Sequence, residues 1–159
     1  MKKLSTALAA LALLAACSDA ARTLTAGEPG DDANCALDGM TLKDFPGPKA
    51  QIVYHDGQAD YFCGTTELFA VLFGPEGKRP VAGVYVQDMG KADWERPRGN
   101  WIEAAQAYYV AGSAKRGAMG ATLVSFAKQA DAQAFAEREG GRVLRFSDIT
   151  PDIFSPPPT

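Results

Sequence analysis

The chain has 159 residues, with 16 lysines and arginines against 19 aspartates and glutamates, so its net charge is −3 at pH 7. An acidic chain gains little from phosphate contacts, which argues against nucleic acid as a partner. The length suffices for one domain or for two very small ones.

The N-terminus has the pattern of an export signal. Met1-Lys2-Lys3 precedes an apolar run from Leu4 to Ala16, which ends at Cys17. This run is too short to cross a membrane, which takes about 20 apolar residues. Leu14-Ala15-Ala16-Cys17 resembles the bacterial lipobox, in which the cysteine is acylated and becomes the first residue. We therefore predict a signal peptide over residues 1–16 and a lipid anchor on Cys17, and Ser18 after it favours the outer membrane.

Both ends of the mature chain look unstructured. Residues 17–34 are polar and rich in small and turn-forming residues, which is typical of a flexible tether. Residues 151–159 finish in three consecutive prolines and are predicted to form a loose tail. The body should therefore lie between residues 35 and 150.

Within the body, the same order of elements is predicted twice. Each half has two strands, a helix and a third strand, and glycine and proline mark the turns. In residues 35–90 the predicted elements are Gln51–His55, Ala59–Cys63, the helix Glu67–Phe73 and Pro80–Val86. In residues 91–150 they are Gln106–Val110, Ala121–Ala127, the helix Gln129–Glu139 and Arg142–Phe146. The predicted fold is α+β, with two tandem strand–strand–helix–strand units that pack together because each alone is too small to be stable.

Catalytic patterns are weak in this sequence. His55 is the single histidine and sits beside a predicted turn. There is no glycine-rich phosphate loop, nucleophile elbow or zinc-protease motif. These features favour a protein that is not an enzyme.

Sulfur-containing side chains are placed more suggestively. After Met1, each methionine adjoins a glycine in a predicted turn or loop: Met40, Met89 and Met119. Cys35 lies five residues before Met40, close enough for an irregular segment to bring thiolate and thioether to one point. Together these two ligand types select Cu(I), a soft ion that prefers polarisable sulfur. The spacing therefore raises the hypothesis of a Cu(I) site.

The two remaining cysteines allow a second interpretation. The bacterial cell envelope is oxidising, and paired cysteines there commonly form disulfides. A Cys35–Cys63 bond would make the chain a structural envelope lipoprotein, stabilised by roughly 3 kcal/mol in the chain-entropy model.

Six further stretches together carry a family resemblance. They are Cys35-x-x-Asp38-x-Met40, Phe45–Ile52, Asp60–Cys63, Val84–Gly90, Trp101–Ala104 and Gly117–Gly120. With the lipobox, they make the chain similar to the NosL family of nitrous oxide reductase accessory lipoproteins as far as Ile149.

The resemblance implies a periplasm-facing lipoprotein that binds Cu(I) and delivers it to nitrous oxide reductase through that enzyme's maturation machinery. It also implies two strand–strand–helix–strand units, a fold similar to the metal-binding part of organomercurial lyases. The sequence also allows a homodimer that forms with copper.

The site assignments combine spacing with this resemblance. Cys35 is expected to be the first Cu(I) ligand, Met40 the second and Met89 the third. Asp38 stands where many family members have a second cysteine and is a poorer Cu(I) ligand. The remaining candidates are Cys63, interpreted as structural more readily than as a ligand, and Met119, a loop residue that could contact metal or a partner.

Overall fold

The structure, a computed structural model, describes residues 24–74 and 79–154. The predicted signal peptide, Cys17 and residues 155–159 lie outside the described residues. None of the helices in the described ranges combines the length and hydrophobicity needed to span a membrane.

The first unit is a sheet with one helix. Its elements are β1 (Ala50–Tyr54), β2 (Ala59–Phe62), α1 (Thr65–Phe73), β3 (Val81–Gln87) and β4 (Trp101–Glu103). The strand order is β2-β1-β3-β4, and every neighbouring pair is antiparallel. Gly57 has φ +81° and allows the tight turn between β1 and β2, as the Asp56-Gly57 pair predicts.

The second unit repeats this arrangement with three main strands. Its elements are β5 (Tyr108–Ala111), the hairpin strands β6 (Arg116–Gly117) and β7 (Gly120–Ala121), β8 (Val124–Phe126), α2 (Gln129–Glu139) and β9 (Arg142–Arg145). The strand order β8-β5-β9 matches β2-β1-β3 of the first unit. The first strand of each unit is therefore central.

The predicted α+β fold with two strand–strand–helix–strand units is confirmed. The α2 helix has the predicted ends, and α1 begins two residues earlier than predicted, at Thr65. Two features differ from the prediction: the β6–β7 hairpin, and β4, which lies in residues 91–150 yet pairs with β3 of the first unit.

One apolar core runs through both units. Phe69 of α1 contacts the ring of Tyr109 from β5, with centroids 5.5 Å apart. Hydrogen bonds join the two units as well, since Met89 N donates to Ser125 O at 2.9 Å and the Ser125 hydroxyl donates to Gln87 O at 2.7 Å. The units pack on each other, as their small size predicts.

The described parts of the predicted tether and tail are ordered by contacts, which differs from the prediction. The Gln51 side chain both accepts from Gly27 N and donates to Gly27 O, at 3.0 and 2.9 Å. Glu28 accepts from the Trp101 indole N–H at 3.0 Å. At the other end, residues 151–154 form a short 3-10 helix whose Phe154 packs on Phe69 of α1. These contacts could not be predicted from the composition of the two segments, because their partners lie far away in sequence.

Candidate metal centre

A short closed loop presents Cys35. Cys35 N donates to Met40 O and Gly39 N donates to Cys35 O, both at 2.8 Å. Gly39 has φ +76°, a conformation that favours glycine and allows the chain to reverse there. Ala36 N donates to Tyr61 O at 2.7 Å, which attaches the loop to β2. We call residues 35–40 the ligand loop.

The loop faces the end of β2, where Cys63 begins the two-residue connection to α1. Both cysteines are buried and neither forms a disulfide. One potential ligand atom from each of Cys35, Asp38 and Cys63 lies within 4.8 Å of the other two. Asp38 is exposed at the outer side, so the cluster combines two buried sulfurs with a carboxylate at the surface.

Hydrogen bonds and burial set opposite tendencies in this cluster. The Met40 N–H donates to Asp38 Oδ1 at 2.9 Å and lowers the pKa of that carboxyl. The Cys63 thiol donates to Asp38 Oδ2 at 3.4 Å. Burial, followed by the hydrogen bond with Cys35, raises the pKa of the Cys63 thiol. Without a metal ion, the cluster therefore favours a protonated Cys63 beside an ionised Asp38.

Two further ionisable side chains, Lys49 and Glu67, are buried and interact electrostatically with the cysteines. Lys49, 3% exposed, donates through Nζ to the carbonyls of Phe45, Pro46 and Gly47. Burial lowers its pKa to about 8. Burial also raises the pKa of Glu67, in the first turn of α1. Lys49 belongs to the motif Phe45–Ile52, but the sequence predicts no role for it because it does not show that the amine is buried.

The methionines are placed differently from one another. Met40 adjoins Cys35 and Asp38 through its backbone. Met89, predicted as the third ligand, packs into the apolar cluster of the second unit with Val124 and Phe126, so the structure does not bring it into the cysteine cluster.

Met119 is 60% exposed at the turn of the β6–β7 hairpin. Its neighbour Ala118 packs against the cluster of Cys35, Leu42 and Cys63. This methionine therefore lies in the chain directly beside a residue that covers the site.

Thiols and a carboxylate at one point suit a thiophilic metal ion. Thiolates are the stronger ligands for Cu(I), whereas a carboxylate is a hard donor that binds it weakly. The fold and the cluster together define a twin strand–strand–helix–strand protein with a candidate site for a soft metal.

Comparisons with known proteins agree with this class. The sequence profile of the NosL family matches residues 26–154, and the chain belongs to this family. It is 48% identical over 120 residues to a "Copper-binding lipoprotein NosL" of Stutzerimonas stutzeri, covering 75% of this chain and 63% of that protein. The match therefore spans less than two thirds of that relative. A protein of the same name from Achromobacter cycloclastes is 43% identical, covering 89% of this chain and 77% of the relative.

Two solved structures are also similar. The crystal structure of the copper chaperone NosL from Shewanella denitrificans has a TM-score of 0.75 at 37% identity, covering 80% of this chain and 97% of that one. The solution structure of apo-NosL from Achromobacter cycloclastes has a TM-score of 0.50 at 42% identity, covering 65% of this chain and 86% of that one. The family resemblance inferred from the sequence motifs is confirmed.

Proposed function

We propose that this protein is a lipid-anchored copper chaperone that binds Cu(I) at the ligand loop and Cys63. The observation that carries the proposal is the convergence of two free thiols, Cys35 and Cys63, which lie 28 positions apart in the chain. A linear or trigonal arrangement of soft donors suits a closed-shell monovalent ion. The names of the relatives, copper-binding lipoprotein and copper chaperone, support copper as the metal.

The proposed ligands are Cys35 and Cys63, with Met40 as the third donor. Met40 belongs to the ligand loop and its backbone contacts both Cys35 and Asp38. Asp38 accepts a hydrogen bond from the Cys63 thiol and orients it before the ion binds. As a hard carboxylate donor, it is less suited to bind Cu(I) itself. Met89 packs elsewhere and is not included in this ligand set.

Transfer requires that the ion be reachable. Asp38 is exposed, and the exposed Met119 lies beside a residue that packs on the cysteines. We infer that a partner approaches from this side and that Met119 contacts the partner or the departing ion. A semi-open site allows an acceptor's ligand to enter before the donor's ligand leaves.

The proposed recipient is nitrous oxide reductase, whose copper centres would be assembled after export. This part of the proposal rests on the resemblance of the sequence motifs to nitrous oxide reductase accessory lipoproteins, which is in keeping with the match to the NosL family. The lipobox at Cys17 supports a position on the membrane facing the periplasm, with the outer membrane favoured by Ser18. The proposal is for a binding and delivery protein, with no catalytic step.

Anaerobic titration of the purified protein with Cu(I), in competition with a chromophoric chelator, tests the site. We expect one tight binding event that Cys35→Ser removes and Met40→Leu weakens, while Met89→Leu leaves it unchanged. Native affinity in Cys35→Ser would contradict the proposal. In cells at limiting copper, Cys35→Ser should leave nitrous oxide reductase exported but short of copper.

The structural alternative, a Cys35–Cys63 disulfide, is favoured by the same proximity of the two sulfurs. Thiol titration of protein isolated from the envelope separates the two functions. Two reactive thiols after denaturation support the chaperone, and none supports the disulfide.

A further inference from the structure

Lys49 is a buried lysine whose ammonium group donates to backbone carbonyls. Its three ammonium protons face three carbonyls, of Phe45 at 2.8 Å, Pro46 at 3.2 Å and Gly47 at 3.1 Å. A carbonyl accepts hydrogen bonds and favours the charged amine over the neutral one. Lys49 is the one buried lysine or arginine in the described ranges of the chain, and its amine forms no ion pair within 4 Å there.

The sheet places this cation beside Cys63. In the β1–β2 ladder, Ala50 pairs with Phe62, and the same register continued by one step sets Lys49 opposite Cys63. Residues directly opposite in an antiparallel pair point to the same face with their Cβ atoms about 5 Å apart. The charge of Lys49 is therefore close to the thiols, and the buried Glu67, which forms no ion pair with it within 4 Å, is the carboxylate that interacts with it electrostatically.

The charge of the metal site changes with the ion that binds. Each thiol that becomes a thiolate ligand releases one proton. Two thiolates and one Cu(I) ion together carry a net charge of −1. The same two thiolates with a divalent ion carry no net charge.

We propose that Lys49 is a positioning residue that favours a monovalent ion at the two cysteines. Its buried ammonium group stabilises the net negative charge that the site carries with Cu(I) and does not carry with a divalent ion. This inference rests on the proposed function and adds a source of selectivity that the ligands alone do not supply. It predicts that loss of the charge weakens Cu(I) binding while leaving a thiophilic divalent ion nearly unaffected.

The test compares Cu(I) and Cd²⁺ affinities in the full chain and in three variants. Lys49→Met keeps an unbranched side chain but removes the charge, and Lys49→Arg keeps the charge. Lys43→Met is the matched control, since it removes the charge of an exposed lysine a short distance before Lys49. If Lys49→Met does not fold, Lys49→Gln replaces it, because its neutral amide still donates to the carbonyls.

We expect the Cu(I) dissociation constant to rise by about ten-fold in the neutral variant, as one nearby charge at intermediate dielectric implies. It should stay near the native value in Lys49→Arg and Lys43→Met, and Cd²⁺ affinity should change by less than about two-fold in all variants. An equal loss for both ions would show a merely structural role, and an unchanged Cu(I) affinity would show no role, so either overturns the inference. Failure of the native protein to bind Cu(I) through Cys35 would instead refute the proposed function.

Discussion

In both units two residues join the second strand to the helix, Cys63-Gly64 in the first and Ala127-Lys128 in the second. An aspartate contacts this connection in each case. Asp38 accepts from the Cys63 thiol at 3.4 Å, whereas Asp88 accepts from Ala127 N at 3.0 Å. The connection between the second strand and the helix is therefore contacted by an aspartate carboxylate in both units.

The two points differ in burial and in the chemistry they offer. Asp88 is 1% exposed and also accepts from Gly90 N, so its carboxylate is used to hold backbone in place. Asp38 is exposed and contacts a thiol. The topology therefore supplies a protected connection between strand and helix. The residues at this connection decide whether it has only a structural role or binds an ion.

The largest effect on Cu(I) affinity should come from replacing Cys63 by alanine, the residue that the second unit has at the corresponding position, Ala127. Cys63→Ala removes one of two soft donors, and we expect Cu(I) affinity to fall roughly a thousand-fold, about 4 kcal/mol. Competition titration measures this. The reciprocal Ala127→Cys is the control and should create no site, because the carboxylate beside it already accepts two backbone N–H groups. A small loss in Cys63→Ala would mean that Cys63 is only structural, as the sequence first suggested.

The two aspartates should separate stability from binding. Asp88→Ala leaves the N–H groups of Gly90 and Ala127 without their acceptor and should lower the free energy of unfolding by about 3 kcal/mol. Asp38→Ala, at an exposed position, should lower it by less than about 1 kcal/mol while weakening Cu(I) binding. Chemical denaturation and metal titration of both variants provide the measurement. Equal losses of stability would remove the contrast between the units.

A third prediction concerns the contact between the units at the site. Gly47 has φ +82°, and a Cβ there would lie 3.2 Å from Gly117 Cα of the β6–β7 hairpin. Gly47→Ala should therefore destabilise the protein by about 2 kcal/mol through backbone strain and crowding. Gly39→Ala is the control, with φ +76° and free space, and should cost only the backbone part, about 1 kcal/mol. Similar losses would show that the hairpin can shift at no cost.

The smallest effect is a change in how stability depends on pH. Glu67 is the third residue of α1, and burial raises its pKa above the ordinary 4.5. The folded state then binds a proton more tightly than the unfolded chain, so stability falls as pH rises from 4.5 through the folded pKa. Glu67→Gln should remove this decline and stabilise the protein at neutral pH. Asp131→Asn, at the third position of α2, is the matched control for denaturation curves across this range, and an unchanged slope in Glu67→Gln would contradict the prediction.

The order of elements could be predicted because local signals mark it. Gly140-Gly141 ends α2, and Asp56-Gly57 forms the turn between β1 and β2. Both signals depend on only a few neighbouring residues. The three-residue strand β4 could not be predicted, since it is held by pairing with β3 and by the contact of Trp101 with Glu28, both between residues distant in sequence. Glycine neighbours indicated a turn at Met89, but they carry no information on where its side chain packs.

The site was predictable in part for the same reason. The ligand loop is local, and its spacing placed Cys35 and Met40 together. Cys63 lies near the ligand loop because β2 ends beside that loop. Lys49 lies near Cys63 because of the register between β1 and β2. Pairwise proximity of this kind depends on the sheet, which composition and periodicity do not specify.

The attachment of the ligand loop has a consequence for the rate at which an ion can be surrendered. Cys35 lies on a loop closed by its own hydrogen bonds and tied to the outer edge of β2, whereas Cys63 is fixed between a strand and a helix. Segments held by few bonds open far more often than the sheet beneath them. The loop can therefore swing out as a unit, carrying one sulfur away from the other while the domain stays folded. Amide hydrogen exchange should then be fast at Ala36, whose N–H donates to Tyr61 O across the opening, and slow along β1, and metal should slow only the former.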